Sequence, residues 1–225
     1  MKAILFDFGG TIDTDGVHWS EKYWDLYEQF SVGVTKKAYE HAFVESEKML
    51  LQYTDLPRAT FHKTLHKQLT LQFSILKLDD DDGLINEMTD ACYEDVRRVI
   101  ARASKILGDL KKRYQLGVVS NFYGNLEIVC KEFGLDQYFG VMIDSAVVGV
   151  RKPDPEIFAK ALRSMDVLAR EAFVVGDSYD RDIVPGKTLG CKTIWLNGQS
   201  WLTPPSTSSA DHTIRKFEEI KKILL

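Results

Sequence analysis

Asp7, Ser120, Lys152 and Asp177 each stand at the edge of a short apolar run or turn: Ile4-Leu5-Phe6-Asp7, Leu116-Gly117-Val118-Val119-Ser120, Arg151-Lys152-Pro153 and Phe173-Val174-Val175-Gly176-Asp177. Three of these are strand endings, and the carboxyl ends of strands in an open parallel sheet line one crevice. Two carboxylates, a hydroxyl and an ammonium brought together there suit a divalent cation and a phosphate. The hard cation takes carboxylate oxygens, and the phosphate takes the ammonium and the hydroxyl.

The elements that must position these groups are legible in the hydrophobic pattern. Ala3 to Phe6 reads as a buried strand that Gly9-Gly10 ends. From about Trp19 to about Ile100 apolar residues recur at helical spacing instead. One stripe is Trp19, Tyr23, Leu26, Tyr27 and Phe30, and a second starts behind Thr35, an N-cap, with Ala38, Phe43, Met49 and Leu50. Pro57 precedes a third helix carrying Phe61, Leu65, Leu69 and Phe73, and the acidic run Asp79 to Asp82 precedes a fourth through Leu84, Ile85, Met88 and Tyr93.

After about Ser104 strands and helices alternate. Helix Lys105 to Tyr114 leads to strand Gln115 to Ser120, helix Gly124 to Phe133, a short strand near Val141 to Ile143, and helix Pro155 to Met165. Strand Ala172 to Gly176, a helix near Ile183 to Leu189 and strand Lys192 to Leu196 follow. Such alternation implies parallel strands joined by right-handed helical crossovers. The fold class is α/β: a Rossmann-like parallel-sheet core formed by residues 1–14 and 104–225, with an α-helical cap of residues 15–103 inserted after strand 1. The expected hinges lie at Asp13 to Gly16 and Ala101 to Ser104.

At 225 residues the chain is long enough to bury a sizeable core. A net charge of -4 with no basic block argues against nucleic acid or an anionic membrane surface as the partner. The cysteines, Cys92, Cys130 and Cys191, are odd in number and far apart, which fits neither a disulfide framework nor a zinc site. The N-terminal apolar stretch is ended by Asp7, too soon for a signal peptide or a membrane span. The expectation is a soluble, cytoplasmic protein.

Four ordered segments resemble the motifs of the haloacid dehalogenase superfamily: Phe6-Asp7-Phe8-Gly9-Gly10-Thr11, Val119-Ser120-Asn121, Lys152-Pro153-Asp154-Pro155, and Val175-Gly176-Asp177-Ser178-Tyr179-Asp180-Arg181-Asp182. The resemblance covers nearly the whole chain. It implies a magnesium-dependent hydrolase, a phosphatase of a small phosphorylated metabolite that forms an aspartyl-phosphate on Asp7. Asp7, Lys152 and Asp182 would be the catalytic residues, with Asp182 positioning Lys152 or a water. Ser120, Asn121, Gly10 and Thr11 would bind substrate, and Asp7, the Gly9 carbonyl and Asp177 would hold Mg²⁺. The cap would exclude water and choose the substrate. A carboxylate nucleophile is ionised at neutral pH and needs no base, but it needs a cation to offset repulsion by phosphate.

One position departs from the family. Most of its phosphatases carry a second motif-one Asp as general acid and base, and here Gly9 stands in its place. General acid–base help is worth about 10²–10⁴ in rate, so activated phosphates would suffer less than alkyl esters. Asp13, Asp15 or His18 at the entrance to the cap are candidate substitutes, although hinge residues are ordinarily solvated. The gap also admits a binding or regulatory protein with a surviving pocket, a 2-haloacid dehalogenase, or a phosphonatase. Asp177 counts against the dehalogenase, and a phosphonatase would need a cap lysine among Lys22, Lys36, Lys37 and Lys48. Gly186-Lys187-Thr188 lacks the rest of a P-loop, His62 and His66 lack the Glu of a zinc helix, and the Trp19-Tyr23-Trp24-Tyr27 stripe reads as cap core.

Overall fold

A computed structural model describes residues 1–80, 82–201, 203 and 205–225; Asp81 of the acidic run and Pro204 of the Pro-Ser loop fall outside them. Strand β1 (Ala3–Phe6) consists of four consecutive apolar residues, all fully buried, as expected of a strand covered on both faces. With β2 (Gln115–Ser120), β3 (Val141–Asp144), β4 (Ala172–Gly176), β5 (Lys192–Leu196) and β6 (His212–Ile214) it forms a six-stranded sheet in the order β3-β2-β1-β4-β5-β6. Every pairing is parallel. The strand order reverses at β1, and ligands of open α/β sheets bind outside the strand ends at such a switch point. Register brings the site there: Phe6 lies opposite Val118 on one side and Val175 on the other, so Asp7, Ser120 and Asp177 leave the sheet at one end.

Alternate residues of the strands feed two apolar layers. Ala3, Leu5, Val119 and Val174 pack with Ile157, Phe158 and Leu162 of α7 (Glu156–Ser164). Ile4, Phe6, Val118 and Val175 join the larger cluster on the other face. That cluster continues without a break into the helices inserted between β1 and β2: α1 (Trp19–Gln29), α2 (Lys36–Leu50), α3 (Phe61–Leu76) and α4 (Leu84–Lys111). Phe8 is the junction, with edge-on contacts to Phe61 of α3 at 6.3 Å and to Phe122 beyond β2 at 5.6 Å between ring centroids. Polar ties reinforce it: Asn125 Nδ2 donates to Ala59 O at 2.9 Å and Thr64 Oγ1 at 3.0 Å, and Glu132 accepts from the Phe61 amide at 2.7 Å. Tyr23 and Tyr27 are buried in this layer with Trp19 and Trp24 against it, as the stripe predicted.

Side-chain caps start three of the inserted helices where the pattern changes: His18 accepts from the Ser20 amide, Thr35 from Ala38 and Thr60 from Lys63. The remaining helices are α5 (Leu126–Glu132), α6 (Ser145–Val148), α8 (Val184–Leu189) and α9 (Lys221–Leu224). Helices α6 and α9, four residues each, were not foreseen because they are too short to show a period, and two further elements differ from the sequence reading. A break was expected near Ala101 to Ser104, but α4 is one continuous helix of 28 residues, because its buried positions, from Ile85 through Val96, Ile100 and Ala103 to Leu110, keep one stripe throughout. Strand β6 was missed, since only Ile214 of its residues is buried and it carries no apolar run. The three cysteines are free and buried. Among the described residues no helix is long and apolar enough to cross a membrane.

Candidate active site

Asp7 continues β1 into the crevice and its amide is anchored on Val175 O at 2.8 Å. Lys152, 5 % exposed, extends its ammonium between two carboxylates, with Nζ 2.6 Å from Asp7 Oδ1 and 2.6 Å from Asp182 Oδ1. Ser120, at the end of β2, donates to the same Asp7 Oδ1 at 3.0 Å. These bonds converge on one oxygen of Asp7 and leave Oδ2 for another partner. Asp182 is fixed from its far side by the Ser178 amide, which donates to Oδ2 at 3.1 Å. Asp7, Asp177 and Asp182 each offer an oxygen within 4.8 Å of the others, a cluster that could hold a metal ion.

The remaining expected residues lie here too, each hydrogen-bonded within the protein. Asn121 grips the backbone of Lys152 at both ends of its amide, donating to Lys152 O at 3.0 Å and accepting from Lys152 N at 2.8 Å. It therefore aims Lys152, with one N–H and one lone pair of its amide used in doing so. Thr11 Oγ1 accepts from the Asp177 amide at 3.1 Å, and Trp195 Nε1 donates to Asp177 O at 2.9 Å. Gly10 has φ +84, and a Cβ there would collide with the Asp177 carboxylate, so only glycine lets that carboxylate approach the loop. Its amide is already given to Asp13 Oδ1 at 2.8 Å. Among the described residues no loop backbone hydrogen bond ends on the Gly9 carbonyl.

The electrostatics favour a cation at this cluster. Burial, reinforced by the charges of Asp7 and Asp182, pushes the Asp177 carboxyl well above its ordinary range. Burial also raises Asp182 to about 6, an effect the Lys152 ammonium opposes. Burial alone would push Lys152 down, but Asp182 and Asp7 outweigh it and hold the ammonium above its usual value. Three carboxylates, from Asp7, Asp177 and Asp182, are hard oxygen donors of the kind a divalent cation takes.

A pH signature follows. Asp13 is raised to about 7 by burial, and Asp177 and Asp182 are raised as well. A carboxyl raised on folding stabilises the fold below its unfolded pKa of about 4, and that contribution is lost as pH climbs through the folded value. A cation competes with protons on Asp177 and Asp182, so its stabilising effect should grow over the same interval. Melting curves recorded with EDTA and with magnesium should therefore diverge between about pH 5 and pH 8; parallel curves would rule out a cation at this cluster.

Several residues of the site escaped sequence reasoning. Glu47 of α2 meets the loop that follows β2, where its Oε1 accepts from Tyr123 Oη at 2.7 Å and from Gln68 Nε2 of α3 at 2.5 Å. Tyr23 Oη donates to Gln68 Oε1 at 3.1 Å and completes the chain. Burial raises the Glu47 carboxyl, while Arg181 and Arg151, both exposed beside the site, pull it down. The available signal was Glu47's spacing with Phe43 and Leu50, which puts a charge on the buried face of α2. Trp19 was read only as core, yet a Cβ on Gly9 would lie 3.4 Å from its Cδ1 and Nε1. The indole thus borders the space that a side chain at position 9 would enter.

Residues 1–190 match the haloacid dehalogenase-like hydrolase family. The chain belongs to that family. This hydrolase is 37% identical over 102 residues to glyceraldehyde 3-phosphate phosphatase of Pyrococcus abyssi, covering 44% of this chain and 42% of that protein. It is 27% identical over 150 residues to pyrimidine 5'-nucleotidase YjjG of Escherichia coli, 66% of each. To pyrophosphatase PpaX of Bacillus anthracis it is 30% identical over 164 residues, 70% of this chain and 68% of that one. The chain spans about half the length of the first two of its curated relatives. Among solved structures, a HAD phosphatase from Thermococcus onnurineus superposes with a TM-score of 0.60 at 25% identity, covering 100% of this chain and 98% of that one.

Proposed function

We propose that this hydrolase is a phosphatase of a small phosphorylated metabolite, with Asp7 as nucleophile. The observation that carries the reading is Lys152, whose buried ammonium is held 2.6 Å from Asp7 beside a cluster of three carboxylates. A stationary cation next to an ionised nucleophile is what attack on an anionic phosphoryl group requires. The printed activities of the relatives, a phosphatase, a nucleotidase and a pyrophosphatase, support the same class.

In this reading Asp7, Asp177 and the Gly9 carbonyl hold magnesium, with Asp182 close enough to contribute. When bound, the ion neutralises phosphoryl charge near Asp7. Asp7 Oδ2 attacks phosphorus while Oδ1 stays fixed by Lys152 and Ser120. The P–O bond to the leaving group breaks, the phosphoryl group rests on Asp7, and water then releases it. Lys152 follows the phosphoryl oxygens through both steps, aimed by Asn121 and Asp182. Glu47 and Tyr123, with Arg151 and Arg181 nearby, would contact the rest of the substrate from the cap side. Residues 1–14 and 104–225 then serve as the catalytic body, and 15–103 as the selecting cap.

The test is phosphate release with magnesium from acetyl phosphate, p-nitrophenyl phosphate and a set of sugar phosphates. Turnover of the activated phosphates, abolished by EDTA, is expected. Binding without release from any of them would make the chain a phosphate-binding regulator. Chloride release from 2-haloacids without metal would make it a dehalogenase.

A further inference from the structure

The group missing at Gly9 had three candidate substitutes, and their surroundings separate them. Asp13 is fully buried and both its oxygens are taken, Oδ1 by the Gly10 amide at 2.8 Å and Oδ2 by Trp19 Nε1 at 2.9 Å. It is a clamp that seats the indole beside Gly9. Asp15 turns the other way, where Oδ1 accepts from the Phe217 amide at 2.7 Å and Oδ2 lies 3.7 Å from Lys216 Nζ. Both carboxyls are thus engaged by the protein.

His18 is placed differently. It lines a cavity of about 160 Å³ together with Asp177, Ser178 and Tyr179, and Asp177 is one of the three carboxylates of the candidate metal cluster. Its position is over-determined. The backbone amide donates to Gln199 O at 2.8 Å, and the ring stacks on Trp201 with centroids 6.3 Å apart at 28°. Nδ1 accepts from the Ser20 amide at 3.2 Å and lies 2.8 Å from Ser20 Oγ. A ring nitrogen that accepts a backbone N–H carries a lone pair, so in the neutral imidazole the proton resides on Nε2. No hydrogen bond or ion pair engages Nε2 among the described residues. Burial and the charge of Arg181 lower the imidazole to about 4, which keeps it neutral at physiological pH, and the Asp7 carboxylate is also within electrostatic reach.

We propose that the Nε2–H of His18 donates a hydrogen bond to the leaving-group oxygen of a phosphate ester, in place of the acid absent at Gly9. The assignment rests on the phosphatase reading above. As Asp7 attacks phosphorus, the electron pair of the breaking P–O bond stays on the departing oxygen, and the fixed N–H stabilises that charge as it grows. The oxygen takes its proton from water, and the hydroxide so formed is consumed when the phosphoryl group leaves Asp7. His18 begins and ends neutral. A fixed donor aimed at developing charge gains strength as the bond breaks, so its effect should scale with the basicity of the leaving group.

The test compares His18→Ser and His18→Gln on an alkyl phosphate and on p-nitrophenyl phosphate. Serine keeps the N-cap of α1, so the melting temperature should stay close to that of the unaltered protein. Glutamine keeps an N–H at similar reach. For His18→Ser the expected loss in kcat is about 10²–10³-fold on the alkyl ester, the cost of one such donor, and a few-fold or less on p-nitrophenyl phosphate. His18→Gln should recover part of the alkyl activity. Nitrogen-15 spectra should show the Nε2-protonated tautomer in the unaltered protein. Equal losses on both substrates, no loss on either, or a proton on Nδ1 would overturn the assignment while leaving the phosphatase reading intact. Phosphate release from acetyl phosphate but from no ester would overturn the assignment alone, and no release from any of these substrates would overturn both.

Discussion

Asp7→Asn should lower phosphate release by at least about 10⁴-fold, a loss comparable to removing the nucleophile of other covalent hydrolases. The amide is nearly isosteric and its oxygen can still accept from Lys152 and Ser120, which now bond Asp7 Oδ1 at 2.6 and 3.0 Å. The chain should therefore fold. Removing one charge from the cluster also relieves Asp177, whose carboxyl is raised by burial and then by Asp7. A near-dead variant whose melting temperature is unchanged or raised is the expected result, read by phosphate release and by thermal melting on the same preparation. Residual activity above about one per cent would remove Asp7 from the role of nucleophile.

Lys152→Met should act on stability as well as on rate. The ammonium is buried between Asp7 and Asp182, both at 2.6 Å, and Asp182 is itself buried. Deleting it leaves two uncompensated carboxylates in a site already short of positive charge, and breaking a buried pair in this way costs about 3–5 kcal/mol. For a chain of this size that corresponds to a fall in melting temperature of about 6–20 °C. Magnesium should restore part of it, because the variant offers the cation a more negative site. The comparison to make is the melting temperature of both proteins with and without the ion. A shift near zero in EDTA would mean that Lys152 is not the counter-ion of the cluster.

The convergence of the candidate site residues was legible in the sequence because they hang on short buried strands. Ile4-Leu5-Phe6, Leu116 to Val119 and Phe173 to Val175 are apolar runs whose ends can be read to the residue, and parallel register carries Asp7, Ser120 and Asp177 to one end of the sheet. The hydrogen-bond partners of Gly10, Thr11 and Asn121 were harder to foresee, since a motif names a position and not the partner its hydrogen bonds choose. In each case the partner was protein: Asp13, Asp177 and Lys152. Asp13 illustrates a different failure. Between two glycines and a threonine-rich stretch it reads as a solvated hinge, yet folding buries it completely beneath Trp19. Glu47 and Tyr123 were invisible because they come from separate elements, α2 and the loop after β2, and only packing of the inserted helices onto the sheet makes them neighbours.

The continuity of α4 sets how the crevice can be entered. At 1.5 Å per residue the helix is a strut about 42 Å long, with Met88 and Cys92 sunk among the inserted helices and Ile106, Leu107 and Leu110 sunk against the sheet layer. A jaw needs a pivot at both of its connections, and this one has a rod across the second. Swinging the lid as a rigid body would have to drag the rod's lower half out of its seat or unwind a turn in the middle. Opening by that route would strain the rod, whereas rearranging side chains at the rim of the crevice would leave it in place.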